Sequence, residues 1–266
     1  MNDSQGATFM KRRQLLQLTM GAAALSGFSS QAFALDSGWI ELMGGTAKGL
    51  EAFKTPTGYW KQTEGVEIDP ENPRRLKWQE SMANTGVWVN GPTGKTNNLV
   101  SREQFGDVEL MLEFNVPVGS NSGVKMQGLY EIQIFDSFGV PSEKFTASGM
   151  GGIYPRAELL PRYHHIDKGY PAKVNASRKP GQWQSMHIVF RAPRFDANGK
   201  KVGNAEFEKV LINDQMIHEK MSIPTPTGHA YVLPEVAKGP IFLQGDHGPV
   251  AFRNVKVRPL PPKELS

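Results

Sequence analysis

Alternation of apolar and polar positions is the dominant pattern of this chain, and it is clearest in the segment 121–137. Ile132 and Ile134 alternate there with Glu131 and Gln133, which predicts a strand with one apolar and one polar face. An antiparallel sheet often has one face in solvent. The polar face therefore indicates either a solvated surface or a site, and the residues of this segment alone leave both open.

Similar short apolar runs recur along the chain and predict many strands. Gly128 separates the predicted strands 124–127 and 129–135, the segment 108–116 alternates most regularly, and a tight polar turn at Asn213-Asp214 predicts a hairpin. Further strands are predicted at 39–42, 59–60, 66–68, 76–78, 86–89, 98–101, 183–190, 207–212, 215–217, 240–244 and 250–257.

The spacing of these strands favours an all-β protein. The sequence shows no long helical period, and 19 prolines and 28 glycines divide its apolar runs into short pieces. Many strands joined by turns predict a sandwich of two antiparallel sheets or a jelly roll. Residues 137–181 lack a sustained period, and a loop of that length is typically functional or a lid.

The first 34 residues have the pattern of an export signal. A basic triplet at 11–13 precedes a weakly apolar run at 15–28, and a small-residue cleavage motif ends at Ala34. The paired arginines favour a twin-arginine signal, with an ordinary secretory signal or an uncleaved anchor as alternatives. We therefore expect residues 1–34 to direct export to the periplasm or outside the cell, and 35–266 to form a single domain.

Composition excludes several classes of partner. The chain of 266 residues has a net charge of +4, half of it in the leader, and no dense basic stripe, so nucleic-acid binding is not expected. The apolar run of the leader is too short and too polar to span a bilayer comfortably, so no membrane-embedded role is expected. The chain has no cysteine, so a hydrophobic core rather than disulfides must stabilise it.

Six motifs, in order along residues 38–260, resemble the 3-keto-disaccharide hydrolase domain family. They are WIELMGG (39–45), FGDVEL (105–110), NSGV (121–124), YEIQIFD (130–136), GPIFLQGDHG (239–248) and FRNV (252–255). The resemblance implies a concanavalin-like jelly roll, export from the cell, and a small carbohydrate substrate that is a glycoside oxidised at carbon 3. Departures from the family pattern, at 161–185 and at the hairpin turn, bear on the choice of substrate more than on the fold.

The implied chemistry dictates the kinds of residue to look for. A ketone at carbon 3 acidifies the hydrogen at carbon 2, so a base can form an enolate and the glycosidic oxygen can leave by β-elimination before water adds back. Such a site needs a general base, an acid for the leaving oxygen, and a cation or metal at the enolate. A conventional glycosidase uses two carboxylates instead, and Gln133 occupies the position of the central acid of glucanase-like strands.

Three residues are catalytic candidates. Glu131 is expected to act as an acid, base or ligand, or else to be a polar structural residue. Strict alternation places Asp136 on the opposite strand face unless a bulge intervenes. His247 follows Asp246 in a glycine-flanked turn and suits proton transfer, although the turn could be purely structural. No cofactor is certain, and a divalent metal held among Glu131, Asp136 and His247 is an open alternative.

The remaining polar residues of these motifs are candidates for substrate binding. Lys125 could polarise the keto oxygen, and the amides could bind sugar hydroxyls. The full set is Asn121, Lys125, Gln127, Gln133, Tyr154, Gln244, Asp246 and Arg253. His164 and His165 are adjacent, and neighbours on an extended chain point apart, so a shared metal is disfavoured. The alternative functions are a non-catalytic carbohydrate-binding module and a conventional jelly-roll glycoside hydrolase.

Overall fold

The structure is a computed structural model that describes residues 38–45, 47 and 49–263. The predicted export signal, residues 1–34, lies outside the described residues. No helix in the described part of the chain has the length and hydropathy that crossing a bilayer requires.

Strands dominate the described residues, as the alternating pattern predicts. In chain order they are β1 (Ile40–Met43), β2 (Lys61–Asp69), β3 (Asn72–Glu80), β4 (Val87–Val89), β5 (Leu99–Phe105), β6 (Val108–Asn115), β7 (Asn121–Met126), β8 (Tyr130–Phe135), β9 (Ala157–Glu158), β10 (His164–His165), β11 (Gln184–Arg191), β12 (Arg194–Phe195), β13 (Lys201–Gly203), β14 (Ala205–Ile212), β15 (Gln215–Ile223), β16 (Gly239–Leu243) and β17 (Ala251–Pro259). Two short 3-10 helices lie at Ser142–Lys144 and His229–Val232.

Two sheets carry the fold, and every strand pair in them is antiparallel. The large sheet has the order β15-β14-β11-β6-β17-β4-β2-β3, with β1 also paired to β17, and the small sheet has the order β5-β16-β7-β8. Two ribbons, β9 with β10 and β12 with β13, are separate from both. The prediction of an all-β, concanavalin-like jelly-roll sandwich is confirmed.

One continuous apolar core lies between the sheets. Leu110 and Ile188 of the large sheet and Val124 and Ile132 of the small sheet are all fully buried in it. Each such side chain stabilises the fold by about 1.5–3 kcal/mol relative to exposure. Because one face of each strand is committed to this core, the polar residues that alternate with it must lie on the other face.

Most strand predictions agree with the structure, with differences at the edges. The predicted hairpin is β14–β15, and Asn213 and Asp214 have positive φ angles of 49° and 63°, as a two-residue hairpin turn requires. The predicted strand at 59–60 is wrong, because these residues precede β2. Strands β9, β10, β12 and β13 were not predicted, since two- and three-residue strands show no period.

The long segment 137–181 covers the edge of the small sheet. Backbone hydrogen bonds join Gln133 of β8 to Gly151 and Gly152, and the amide of Tyr154 donates to the carbonyl of Glu131 at 3.1 Å. The segment thus satisfies the backbone groups of an edge strand. It also brings its own side chains to the polar face of β8.

Candidate active site

A cleft of about 330 Å³ opens over the polar face of the small sheet. Its described lining consists mostly of polar side chains from β7, β8, the segment 137–181 and two turns. These residues are Asn121, Lys125, Glu131, Gln133, Tyr154, Tyr163, Gly228, His229, Gln244 and His247. Six of the candidates from the sequence, together with the predicted catalytic Glu131, are therefore brought together: Asn121, Lys125, Gln133, Tyr154, Gln244 and His247.

The register between β7 and β8 determines which residues lie at the centre of the cleft. Lys125 of β7 lies directly opposite Glu131 of β8, and Gly123 lies opposite Gln133, so all four share one face. Gly123 leaves room for the carboxylate, because a Cβ at this position would lie 2.3 Å from Glu131 Oε1. The backbone N–H of Gln244, the residue after β16, donates to the carbonyl of Gly123 at 2.9 Å, which places Gln244 beside this polar face.

A buried ion pair forms the floor of the cleft. Lys125 Nζ lies 3.3 Å from Glu131 Oε2, and the two side chains are 11% and 5% exposed. Burial raises the pKa of Glu131, and this outweighs the opposite effect of the Lys125 ammonium and of two nearby histidines. A carboxylate whose pKa is raised by burial in a cleft is a stronger base than an ordinary carboxylate, as proton abstraction requires.

A histidine–aspartate pair lies at the cleft in the turn after β16. His247 Nδ1 donates to Asp246 Oδ1 at 2.6 Å, and this bond raises the pKa of His247 and lowers that of Asp246. Asn98 Nδ2 also donates to Asp246 Oδ2, at 3.3 Å. Because Asp246 engages Nδ1, Nε2 is the ring nitrogen left for proton transfer.

Two tyrosines from the segment 137–181 reach the cleft together. The hydroxyls of Tyr154 and Tyr163 are 2.8 Å apart, and His165 Nε2 lies 3.2 Å from each of them. Burial and the bond to Tyr154 raise the pKa of Tyr163. The His164 ring instead contacts Glu158 and the carbonyl of Arg162, so the adjacent histidines do point apart.

Gln244 contributes an acceptor that has no partner in the protein. Its side chain is buried, and Oε1 has no hydrogen-bond partner among the described residues. A buried acceptor without a partner is costly unless another molecule supplies a donor. Because Gln244 also lines the cleft, a turn of its side chain would let Oε1 accept from a ligand hydroxyl.

Four sequence candidates are not part of the described cleft lining. Asp246 lies next to it, bonded to His247, and the other three lie elsewhere. Asp136 accepts hydrogen bonds from the amides of Gly119 and Phe138, so it stabilises the loop after β8. Gln127 has a positive φ of 56° in the turn after β7, and its amide reaches the carbonyl of Phe105 instead.

Arg253 is the third, because β17 belongs to the large sheet. Its guanidinium pairs with Glu113 and lies 4.1 Å from the ring centre of Trp183. It therefore does not reach Asp246 or Asp136.

A metal centre built from Glu131, Asp136 and His247 is not assembled, since Asp136 faces away. Among the described residues, no three His, Asp or Glu side chains are grouped closely enough to share an ion. Glu131 and His247 are the sequence-predicted members of that set that remain in the cleft.

Sequence reasoning missed three parts of the lining, namely Tyr163, Gly228 and His229. Tyr163 directly precedes the paired histidines, but the sequence assigned it no role. All three lie in segments without hydrophobic periodicity, so the pattern of the chain gave no indication of where they point. For Tyr163, it is the tertiary position of residues 137–181 over β8 that brings the side chain to the cleft.

Comparison with known proteins agrees with this architecture. Residues 38–258 match the family profile of the 3-keto-α-glucoside-1,2-lyase-like domain. A solved candidate glycosyl hydrolase from Parabacteroides distasonis ATCC 8503 is 25% identical, with 84% of each chain covered and a TM-score of 0.57. No curated protein matches the chain.

Two further solved structures are more distant. Another candidate glycosyl hydrolase of the same organism is 25% identical, with 76% of this chain and 99% of that chain covered and a TM-score of 0.43. An endo-β-1,4-glucuronan lyase from Trichoderma reesei is 12% identical, with 82% and 94% covered and a TM-score of 0.40. The family match and the P. distasonis structure that covers 84% of each chain support a carbohydrate-processing function. The chain belongs to the 3-keto-α-glucoside-1,2-lyase-like domain family.

Proposed function

We propose that this protein is an enzyme that cleaves glycosides oxidised at carbon 3 of the sugar. In this reaction a base removes the proton at carbon 2, the glycosidic oxygen leaves carbon 1, and water adds to the resulting enone. The observation that carries the proposal is the buried Glu131–Lys125 pair at the floor of a polar cleft. Family membership and the glycosyl hydrolase likeness support the same reading.

The geometry of the pair suits the enolisation step. The hydrogen at carbon 2 and the oxygen at carbon 3 are on neighbouring atoms, so the base and the enolate-stabilising cation must lie within a few ångströms of each other. Glu131 and Lys125 satisfy this requirement with a separation of 3.3 Å. Glu131 takes the proton from carbon 2, and the Lys125 ammonium holds the oxygen that becomes negative.

The hydration step has a candidate base in His247. Asp246 holds Nδ1, so Nε2 can take a proton from the water that attacks carbon 1. The proton on Glu131 then returns to carbon 2, and the ketone re-forms. Gln244 lines the cleft and can bind a sugar hydroxyl through Oε1, whereas the side-chain amide of Gln133 already donates to Asn121 Oδ1 and to the carbonyl of Ser148.

A conventional glycoside hydrolase fits the cleft less well. Both the retaining and the inverting mechanisms need two carboxylates across the scissile bond. Among the described lining residues, Glu131 is the one carboxylate, and Asp246 is engaged with His247. The export signal expected at residues 1–34 would place the enzyme in the periplasm or outside the cell, and the catalytic domain would be residues 35–266.

The decisive experiment compares a 3-keto-disaccharide with its unoxidised parent sugar. Purified protein is incubated with each, and products are followed by chromatography while binding is measured by calorimetry. Cleavage of the keto form alone supports the proposal. Binding of either sugar without turnover would make the protein a carbohydrate-binding module, and cleavage of the parent would make it a conventional hydrolase.

A further inference from the structure

The proposed reaction needs one more group than Glu131, Lys125 and His247 provide. When carbon 1 loses its glycosidic oxygen, that oxygen departs as an alkoxide unless an acid protonates it. Glu131 has by then taken the proton that must return to carbon 2, and Lys125 is engaged with the oxygen at carbon 3. The acid must therefore come from another wall of the cleft.

We propose that Tyr163 is the catalytic residue that protonates the departing glycosidic oxygen. This inference rests on the proposed function. Tyr163 lines the same cleft as Glu131, and its hydroxyl lies 2.8 Å from that of Tyr154 and 3.2 Å from His165 Nε2. A phenol held by two partners has a fixed direction, which is what proton transfer requires.

The hydroxyls of Tyr154 and Tyr163 and the Nε2 atom of His165 form a triangle of hydrogen bonds. This triangle leaves one hydroxyl hydrogen free for the substrate. When His165 Nε2 carries a hydrogen, the ring donates to a hydroxyl, and the hydroxyl of Tyr154 can donate to the oxygen of Tyr163. The hydroxyl hydrogen of Tyr163 is then free to point into the cleft. His165 is exposed, so it connects the triangle to solvent.

The electrostatics of Tyr163 are consistent with this role. Burial and the bond to Tyr154 raise its pKa, so the phenol stays protonated at neutral pH. An acid that is still protonated in the free enzyme can donate its proton when the departing glycosidic oxygen becomes basic. A strongly acidic group at this position would be ionised before the substrate arrived.

The elimination step balances as follows. Glu131 takes the proton from carbon 2, and the electron pair of that bond forms the enolate, whose oxygen lies at Lys125. The ketone at carbon 3 then re-forms, the electron pair moves to make the double bond between carbons 1 and 2, and the bond from carbon 1 to the glycosidic oxygen breaks. The departing oxygen takes the proton of Tyr163 and leaves as an alcohol. The tyrosinate regains a proton from solvent through His165, while the proton that His247 takes from water returns to solvent.

The test compares two leaving groups in the variant Tyr163→Phe. A 3-keto-disaccharide must lose a basic sugar alkoxide, whereas a 4-nitrophenyl 3-keto-glucoside loses a phenolate that needs no proton. We expect kcat to fall about 100-fold or more for the disaccharide and only a few-fold for the nitrophenyl glycoside. Tyr231→Phe is the matched control, because the Tyr231 hydroxyl contacts Glu158 rather than the cleft lining, and both rates should be unchanged.

A second measurement separates the two proton transfers. In D2O, exchange of the hydrogen at carbon 2 of the 3-keto-disaccharide reports on enolisation, and NMR follows it alongside cleavage. Tyr163→Phe should retain exchange while cleavage is lost, whereas Glu131→Gln should lose both.

The outcomes distinguish the two proposals. Three results for Tyr163→Phe would overturn the assignment of Tyr163, while wild-type cleavage would still support the proposed function. They are equal losses of kcat for both leaving groups, loss of exchange together with cleavage, and full activity. A wild-type protein that neither exchanges carbon 2 nor cleaves would instead overturn the proposed function.

Discussion

Two carboxylates of this protein are almost equally buried, and their environments shift their pKa values in opposite directions. The side chains of Asp107 and Glu131 are 3% and 5% exposed. Burial by itself raises both pKa values, but hydrogen bonds to Asp107 reverse the effect, so that its pKa is lowered, whereas that of Glu131 is raised. The difference therefore lies in the donors around each group and in how deeply the group is enclosed, and not in its exposed fraction.

Asp107 has a complete set of donors. Arg194 binds it through two nitrogens at 2.8 and 2.6 Å, and the backbone amides of Ala192 and Lys263 add bonds of 2.9 and 3.0 Å. Glu131 has the Lys125 ammonium at 3.3 Å and a cleft on its other side. A buried carboxylate whose charge is fully compensated stabilises a fold, and one that is undercompensated in a cleft is suited to chemistry.

Glu131→Gln should have the largest effect on turnover. The amide cannot accept the proton from carbon 2, so kcat should fall about 10²–10⁴-fold. Because the folded state raises the pKa of Glu131, ionisation of this group weakens folding as pH rises through that raised pKa. The variant should therefore be as stable as the wild type or more so at high pH, which urea unfolding at two pH values will show. Near-normal turnover would remove Glu131 from the mechanism.

Asp107→Asn should have the opposite effects, because it should lower stability and leave turnover unchanged. Removing the charge leaves Arg194 without its carboxylate partner, whereas Arg191 keeps Glu208, and the free energy of unfolding should fall by about 3 kcal/mol near neutral pH. Since the folded state lowers the pKa of Asp107, its stabilisation is present above the unfolded pKa and is lost as pH falls through the folded one. Urea unfolding curves of variant and wild type should thus converge in acid. A lower kcat per folded molecule would contradict the inference that Asp107 stabilises the fold and takes no part in catalysis.

Asp246→Asn should change the pH dependence of turnover more than its maximum. The bond from Asp246 raises the pKa of His247, so its loss should lower that pKa toward the ordinary value. His247 must be neutral to take a proton from water, and the acidic limb of the kcat profile should therefore move to lower pH, by about one unit or less. An unmoved limb would show that another group titrates there.

Arg253→Ala should have the smallest effect. Its pair with Glu113 is about one-third exposed and its contact with Trp183 lies on the large sheet, so the expected loss of stability is about 1 kcal/mol. Turnover should be unchanged, because Arg253 does not line the cleft. A marked fall in kcat with unchanged stability would mean that the cleft extends further than the structure indicates.

The sheet and its central residues were predictable because they follow strand alternation. Ile132 and Ile134 had to be buried together, and this fixed Glu131 and Gln133 on the other face. Lys125 followed from the pairing of two adjacent strands. The same logic placed Asp136 on the opposite face, where it now binds the amide of Gly119.

The walls of the cleft were not predictable in this way. Tyr163 lies in an irregular segment and His229 begins a short 3-10 helix, and the positions of both depend on tertiary contacts, such as the bond from the backbone amide of Tyr154 to the carbonyl of Glu131. Gln127 left the strand face because its backbone turns to positive φ, which no alternation pattern reveals. Arg253 was adjacent to a cleft motif in sequence, yet its strand belongs to the other sheet.

The pairing of Lys125 with Glu131 across β7 and β8 ties catalysis to strand register. A slip of one residue would move Glu131 toward the apolar interior and Tyr130 toward solvent, and it would separate the acid from its cation. A molecule whose β7–β8 hairpin paired in the wrong register would have no activity, rather than a reduced activity. The specific activity of a preparation should therefore be proportional to the fraction of molecules whose β7–β8 hairpin has the correct register. The rate at which activity recovers during refolding would measure how fast that register forms.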